Sequence, residues 1–116
     1  MARVLVVQPR EALALATCRQ LHFAGIETAL VFDGDTAVRN AVVEAPDAVV
    51  CDLTLPVLDG WYVLAALGAR ETRPRIVVYS HPSDASRAAT LGADAVVHER
   101  ARVVPAVSRL LAPVPL

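Results

Sequence analysis

Short apolar runs alternate along the chain with longer segments whose apolar residues recur at helical spacing. Residues 4–7 are continuously apolar, which is typical of a strand that is covered on both faces. Similar runs predict further strands at 26–32, 48–51, 75–79 and 95–97. The helical spacing predicts helices at 11–24, 36–45, 60–70, 83–91 and 103–111.

Residues that favour helix starts and stops bound several of these segments. Gly25 and Gly92 follow two predicted helices, and Pro46 ends another. Ser83 is predicted to cap the fourth helix. The Asp-Gly pair at 33–34 is predicted to turn the chain before the second helix.

Five strand–helix units joined by short connections predict an α/β fold. We expect a flavodoxin-like, doubly wound (βα)5 sandwich of three layers, with a parallel sheet in the order 2-1-3-4-5. The domain should span residues 1–111, and residues 112–116 should form a tail or the start of a linker. In a sheet of this order, ligands bind beyond the carboxyl ends of strands 1 and 3. The candidate site is therefore the turn Gln8-Pro9-Arg10 together with Asp52.

The composition excludes several classes of function. No segment approaches the roughly 20 apolar residues of a membrane span, and no signal peptide is visible, so we expect a soluble, cytoplasmic protein. The net charge is -1, with 11 basic and 12 acidic residues spread along the chain, which predicts no direct binding to nucleic acid or to membranes. Every basic residue is an arginine, so the chain has no lysine. Cys18 and Cys51 lack the spacing of a metal site.

The residues around Asp52 form a more specific pattern. Asp52 is followed by Leu-Thr-Leu-Pro and then by Asp-Gly at 59–60, Ser80 closes the fourth strand, and Gly-Ala-Asp precedes the fifth. In these features the chain resembles, over nearly its whole length, the receiver domains of bacterial response regulators in two-component signalling. The resemblance implies that Asp52 accepts a phosphoryl group from a histidine kinase in a phosphorelay. It also implies a Ser80 hydroxyl that contacts this group and a bound Mg²⁺.

The sequence departs from the family at other site positions. The two acids that end strand 1 and hold Mg²⁺ in the family correspond to Gln8 and Pro9, and neither supplies a carboxylate. The family's lysine after strand 5 corresponds to Glu99, and the proline that follows it corresponds to Arg100. We therefore expect no cofactor and no metal site, with Asp52 the one ligand if a metal binds. Phosphorylation through Mg²⁺ should be slow or absent.

Three classes of function remain at this stage. The first is an atypical receiver that acts through protein–protein interaction without phosphorylation. The second is a receiver still phosphorylated on Asp52, with Arg10, Arg100 or Arg102 replacing the missing cations. The third is an enzyme or a cofactor carrier on the same fold, for example a flavin or cobalamin binder, which is disfavoured because no phosphate-binding loop follows strand 1. We therefore expect no enzymatic activity beyond weak self-catalysed phosphoryl transfer to Asp52.

A lone carboxylate at this edge needs a partner, and we predict an arginine or a backbone donor beside Asp52. Arg10 is the first candidate and Arg100 the second. Thr54 and His81 complete the predicted pocket, with His81 at its rim. The Ser80 hydroxyl either faces the pocket or satisfies its own neighbouring backbone.

The expected partners are a histidine kinase or another signalling protein. By resemblance, helix 4, strand 5 and helix 5 form a possible homodimer surface, and this surface carries mixed charges, namely Arg87, Asp94, Arg100, Arg102 and Arg109. Residues 112–116 leave no room for an effector domain, so output is expected to pass through a partner or through a larger parent protein.

Overall fold

The computed structural model of the chain describes residues 2–54 and 59–112, with Asp59 described by its backbone alone. The strands are β1 (Arg3–Val7), β2 (Glu27–Val31), β3 (Ala48–Asp52), β4 (Arg75–Tyr79) and β5 (Ala95–Val97). The helices are α1 (Glu11–Phe23), α2 (Gly34–Glu44), α3 (Asp59–Gly68), α4 (Ala85–Thr90) and α5 (Val103–Leu111). Short 3-10 turns, Pro82–Asp84 and Arg100–Arg102, precede α4 and α5. Most of the predicted loop between Asp52 and Asp59, and all but the first residue of the predicted tail, lie outside the described residues.

The five strands form one parallel sheet in the order β2-β1-β3-β4-β5, which confirms the predicted topology. Asp52 is the last residue of the central strand β3, at the carboxyl edge of the sheet. Within the described parts of the chain, no helix combines the length and the apolar character needed to cross a membrane.

Two hydrophobic cores cover the two faces of the sheet. Because successive side chains of a strand point to opposite faces, the strands divide their apolar residues between the cores. Leu5, Val49 and Ile76 pack with α2, α3 and α4, whereas Val6 and Val50 pack with α1 and α5. Such continuous burial explains why the strands read as uninterrupted apolar runs.

Two helix starts differ from the prediction by two residues. Helix α2 begins at Gly34 rather than Thr36, because the Asp33 carboxylate accepts a hydrogen bond from the Thr36 amide at 2.8 Å and acts as its N-cap. Ser83 does not cap α4: it lies inside the 3-10 turn that begins at Pro82, and neither the turn nor α4 has a side-chain cap. The proline favours the first position of such a turn, and this moves the start of the segment upstream of Ser83.

A close backbone contact joins α3 to the turn after α4. A Cβ atom on Gly68 would clash with the Leu91 carbonyl oxygen, so the position accepts no larger residue without movement. Gly92, with φ of 112°, lies on the other side of this contact. At the end of α2, in contrast, Ala45 adopts the left-handed conformation, with φ of 44°.

Candidate functional site

The candidate site forms where β1 and β3 end side by side. Val7 pairs with Cys51 in the sheet register, so the next residues, Gln8 and Asp52, follow at the same edge. Both side chains are buried, although both are polar. Buried polar groups require hydrogen-bond partners, and these two residues contact each other: the Gln8 amide nitrogen donates to Asp52 Oδ2 at 3.1 Å.

Within the described part of the chain, four hydrogen bonds hold the Asp52 carboxylate. Its Oδ1 atom accepts from the Thr54 amide at 2.8 Å and from the Thr54 hydroxyl at 2.6 Å. Its Oδ2 atom accepts from Gln8 and, at 3.0 Å, from Nη1 of Arg100. Each oxygen therefore receives two donors, which uses the acceptor capacity of the carboxylate.

These contacts determine the ionisation of Asp52. Burial raises the pKa of Asp52, but the hydrogen bonds from the Thr54 hydroxyl and amide, from Gln8 and from Arg100 together outweigh it. The pKa of Asp52 is consequently held below its ordinary value, and the group is ionised at neutral pH. The adjacent Cys51 is fully buried in β3, and burial together with the Asp52 charge raises the pKa of its thiol to about 12.

Arg100 is held over the site by two different groups. Its guanidinium contacts the Asp52 carboxylate and also stacks on the Tyr79 ring, with its central carbon 4.4 Å from the ring centre. Tyr79 lies directly opposite Asp52 in the β3–β4 register, so the carboxylate and the ring form one platform. The Arg100 side chain is 43% exposed and the Asp52 side chain 4%. A mobile surface cation is thus fixed against a buried anion.

The prediction of an arginine partner for Asp52 is confirmed for Arg100, and the first candidate, Arg10, is wrong. Arg10 is exposed, and its backbone amide donates to the side-chain oxygen Oε1 of Gln8 at 3.1 Å. Gln8 thus occupies the space between the start of α1 and Asp52. The 3-10 turn after β5, in contrast, brings Arg100 to the end of β4.

The other predicted pocket residues are not among the hydrogen-bond partners of Asp52 that the described residues supply. Ser80 is buried, but its hydroxyl donates to the His81 carbonyl oxygen at 3.1 Å, so it satisfies neighbouring backbone. Pro9 and His81 are exposed. Glu99 is also exposed and lies 3.5 Å from Nε of Arg102. The structure thus brings Gln8, Thr54 and Arg100 to Asp52 and leaves these groups at the periphery.

Tyr79 was not predicted from the sequence to be a residue of the site. Its signal is positional: an aromatic residue one place before Ser80 ends a strand next to the strand that ends at Asp52. The predicted backbone donor is confirmed in the Thr54 amide, since aspartate side chains commonly accept from the backbone amide two residues onward. The additional hydrogen bond from the Thr54 hydroxyl was not predicted.

The residues at this edge do not fit a Mg²⁺ site. Magnesium requires several oxygen ligands in octahedral geometry. Here Gln8 directs its amide nitrogen at Asp52, Pro9 offers no side-chain ligand, and the Arg100 cation occupies one carboxylate oxygen. Among residues 2–54 and 59–112, no three His, Cys, Asp or Glu side chains cluster as metal ligands.

Comparisons with known proteins agree on one family. Residues 4–102 match the family described as response regulator receiver domain. The transcriptional regulatory protein PrrA of Mycobacterium tuberculosis is 40% identical over 78 residues, which cover 67% of this chain and 34% of that protein. Response regulator MprA of the same species is 35% identical over 94 residues, covering 80% of this chain and 41% of MprA. The chain thus spans less than half the length of these curated relatives.

Solved receiver structures share the fold. The receiver domain of the sensor histidine kinase PA1611 from Pseudomonas aeruginosa superimposes with a TM-score of 0.78 at 26% identity, covering 94% of this chain and 96% of that one. That structure has a magnesium ion coordinated in its active-site cleft.

Proposed function

The chain belongs to the response regulator receiver domain family, and on that premise we propose that it is an atypical receiver whose Asp52 is held by Arg100 and which acts through protein–protein contacts without Mg²⁺-dependent phosphorylation. The observation that carries the proposal is the carboxylate with four donors, one of them a guanidinium. The partner is a histidine kinase or another protein of a two-component system.

Phosphoryl transfer to a carboxylate joins two negative groups and depends on cations that neutralise the transferred oxygens. At this site, attack by either Asp52 oxygen first requires the loss of a hydrogen bond. Removing one preorganised donor from a transition state typically slows a reaction by about 10² to 10³. With no acid pair at Gln8 and Pro9 and no lysine in the chain, the ordinary reaction should be at least that much slower.

A second candidate rests on the same contact. Arg100 uses one of its five N–H donors within the described residues and carries a permanent charge, so it is suited to bind a phosphoryl group on Asp52 in place of the family's cations. In this case Asp52 is phosphorylated without Mg²⁺, and the modification moves Arg100 from the carboxylate to the phosphoryl oxygens.

Intact-mass spectrometry after incubation with acetyl phosphate separates these functions. The proposal predicts no added phosphoryl mass with or without Mg²⁺, and the second candidate predicts Mg²⁺-independent addition that Asp52→Asn and Arg100→Gln both abolish. The matched control is the triple variant Gln8→Asp, Pro9→Asp, Glu99→Lys, which restores the family pattern and should gain Mg²⁺-dependent phosphorylation. Rapid Mg²⁺-dependent phosphorylation of the unmodified chain would contradict the proposal.

The expected interaction surface is formed by α4, β5 and α5. Asp94 and Arg100, two of its five predicted charges, are engaged internally: Asp94 accepts from Arg73 at 3.0 Å, and Arg100 contacts Asp52. Arg102 pairs with the Glu99 carboxylate at 3.5 Å, so Arg87 and Arg109 are the predicted charges without an ion pair among the described residues. These two like charges favour an acidic partner over a second copy of the chain. Light scattering should show a monomer at micromolar concentration, and a stable dimer would reverse this preference.

A further inference from the structure

A cavity of about 200 Å³ lies between α1, the sheet and the start of α5, with Asp52 and Arg100 in its wall. Its other walls are mostly apolar and include Val6, Val50, Leu13, Ala16 and Val103. An apolar cavity of about 150 Å³ is large enough to hold benzene. The space beside the Asp52–Arg100 pair therefore fits one ring with a short polar group.

The end of the cavity beside Asp52 offers the N–H donors of Arg100, while Gln20 and Tyr79 also line the cavity. Both Asp52 oxygens already accept two hydrogen bonds each, and the Gln8 side chain is engaged at its nitrogen and at its oxygen. The Thr17 hydroxyl donates to the Leu13 carbonyl oxygen. A guanidinium has five N–H donors, and that of Arg100 makes one hydrogen bond within the described part of the chain. A ligand that meets this end must supply acceptors.

We propose that the cavity binds a small organic acid, with an apolar body of about one ring between α1 and the sheet and its carboxylate on the remaining N–H groups of Arg100. A planar carboxylate matches the guanidinium fork with two parallel hydrogen bonds. A cationic ligand is repelled by the positive charge of Arg100. A neutral amide supplies one oxygen acceptor, whereas a carboxylate supplies two. Because the ligand shares Arg100 with Asp52, binding weakens their pair. This regulatory consequence rests on the proposed function, whereas the binding itself does not.

Benzoate is the probe, with benzamide as its neutral and benzamidine as its cationic counterpart. Each is titrated into the ¹⁵N-labelled chain and followed by ¹H–¹⁵N correlation spectra. Benzoate should give saturable shifts at the amides of Gln8, Thr17 and Val103, with a dissociation constant on the order of 1 mM for a ligand of this size. Benzamide should bind at least about tenfold more weakly, and benzamidine should not saturate.

Two pairs of variants test the assignment. Arg100→Gln should weaken benzoate binding at least about tenfold, and Arg109→Gln, on α5 but outside the cavity, should leave it unchanged. Ala16→Leu fills the cavity from an exposed helix position and should abolish binding, while Ala12→Leu, on the same helix but outside the cavity, should not. The second pair decides the question even if Arg100→Gln does not fold.

The proposal is overturned by any of three results. These are no saturable shift at concentrations roughly tenfold above the expected constant, equal affinity for benzamide, or unchanged affinity in Ala16→Leu. The phosphorylation test uses no such ligand, so either proposal can fail while the other stands.

Discussion

Replacing Arg100 with Gln removes the charge beside Asp52 and keeps a polar side chain. The Thr54 and Gln8 donors remain, so the variant loses one charge-assisted hydrogen bond out of four. Such a bond contributes about 1.5–3 kcal/mol when buried. Because the Arg100 side chain is 43% exposed, solvent screens the interaction, and about 1–1.5 kcal/mol is the appropriate range.

This interaction energy determines two expected results, a change in the pKa of Asp52 and a change in the free energy of unfolding. Because the Arg100 hydrogen bond favours the ionised carboxylate, the pKa of Asp52 should rise in Arg100→Gln. The free energy of unfolding at neutral pH should fall by about 1–1.5 kcal/mol. The folded-state pKa of Asp52 lies below its ordinary value of 3.8, so its contribution to stability is complete above that value and is lost as the pH falls through the folded-state pKa. The difference in the free energy of unfolding between the unmodified chain and Arg100→Gln should therefore become smaller in acid.

The assay combines an NMR titration of the Asp52 carboxyl carbon with urea unfolding at neutral pH and at about pH 3. Arg19→Gln is the control, because Arg19 is an exposed arginine on α1 without an ion pair to any residue that the structure describes. If both variants shift the Asp52 pKa equally, or neither does, Arg100 is not the partner of the carboxylate and the reasoning fails.

Three further substitutions test individual contacts. Tyr79→Leu should free the guanidinium of Arg100, seen as faster solvent exchange of its Nε–H by NMR, whereas Tyr79→Phe keeps the ring and should not change the exchange. Thr54→Val removes a hydroxyl that donates to the Asp52 carboxylate and should lower the free energy of unfolding in urea by about 1–2 kcal/mol. The control Thr90→Val should lower it less, because the Thr90 hydroxyl donates to a neutral carbonyl oxygen, and equal losses would contradict this reasoning. Ala45→Gly should raise the free energy of unfolding by about 1 kcal/mol, and with it the melting temperature, because glycine adopts a positive φ without strain. A lower melting temperature would contradict this prediction.

The sheet was predictable because its signal is local. Strands buried on both faces read as continuous apolar runs, and the fourth and fifth strands, Arg75–Tyr79 and Ala95–Val97, match their predicted bounds. Helix starts were less predictable, because Asp33 and Ser83 are favourable both in turns and at N-caps. At Asp33 the carboxylate caps the helix, and at Ser83 the preceding proline begins a 3-10 turn.

The candidate site was predictable in kind but not in detail. A lone carboxylate at a sheet edge requires donors, and this argument correctly anticipated an arginine beside Asp52. The choice between Arg10 and Arg100 depends on the path of the turn after β5 and on the Tyr79 ring that supports the guanidinium. Both are tertiary features, and neither follows from the spacing of residues along the chain.

Cys51 gives this protein a natural probe of its own fluctuations. Its thiol is buried beside the site, and a pKa of about 12 keeps it protonated at neutral pH, so thiol reagents cannot modify it in the closed sheet. Cys18, on α1, is partly exposed and can serve as the internal reference in the same chain. The rate at which Cys51 reacts relative to Cys18 therefore measures how often the central strand opens, without any added label.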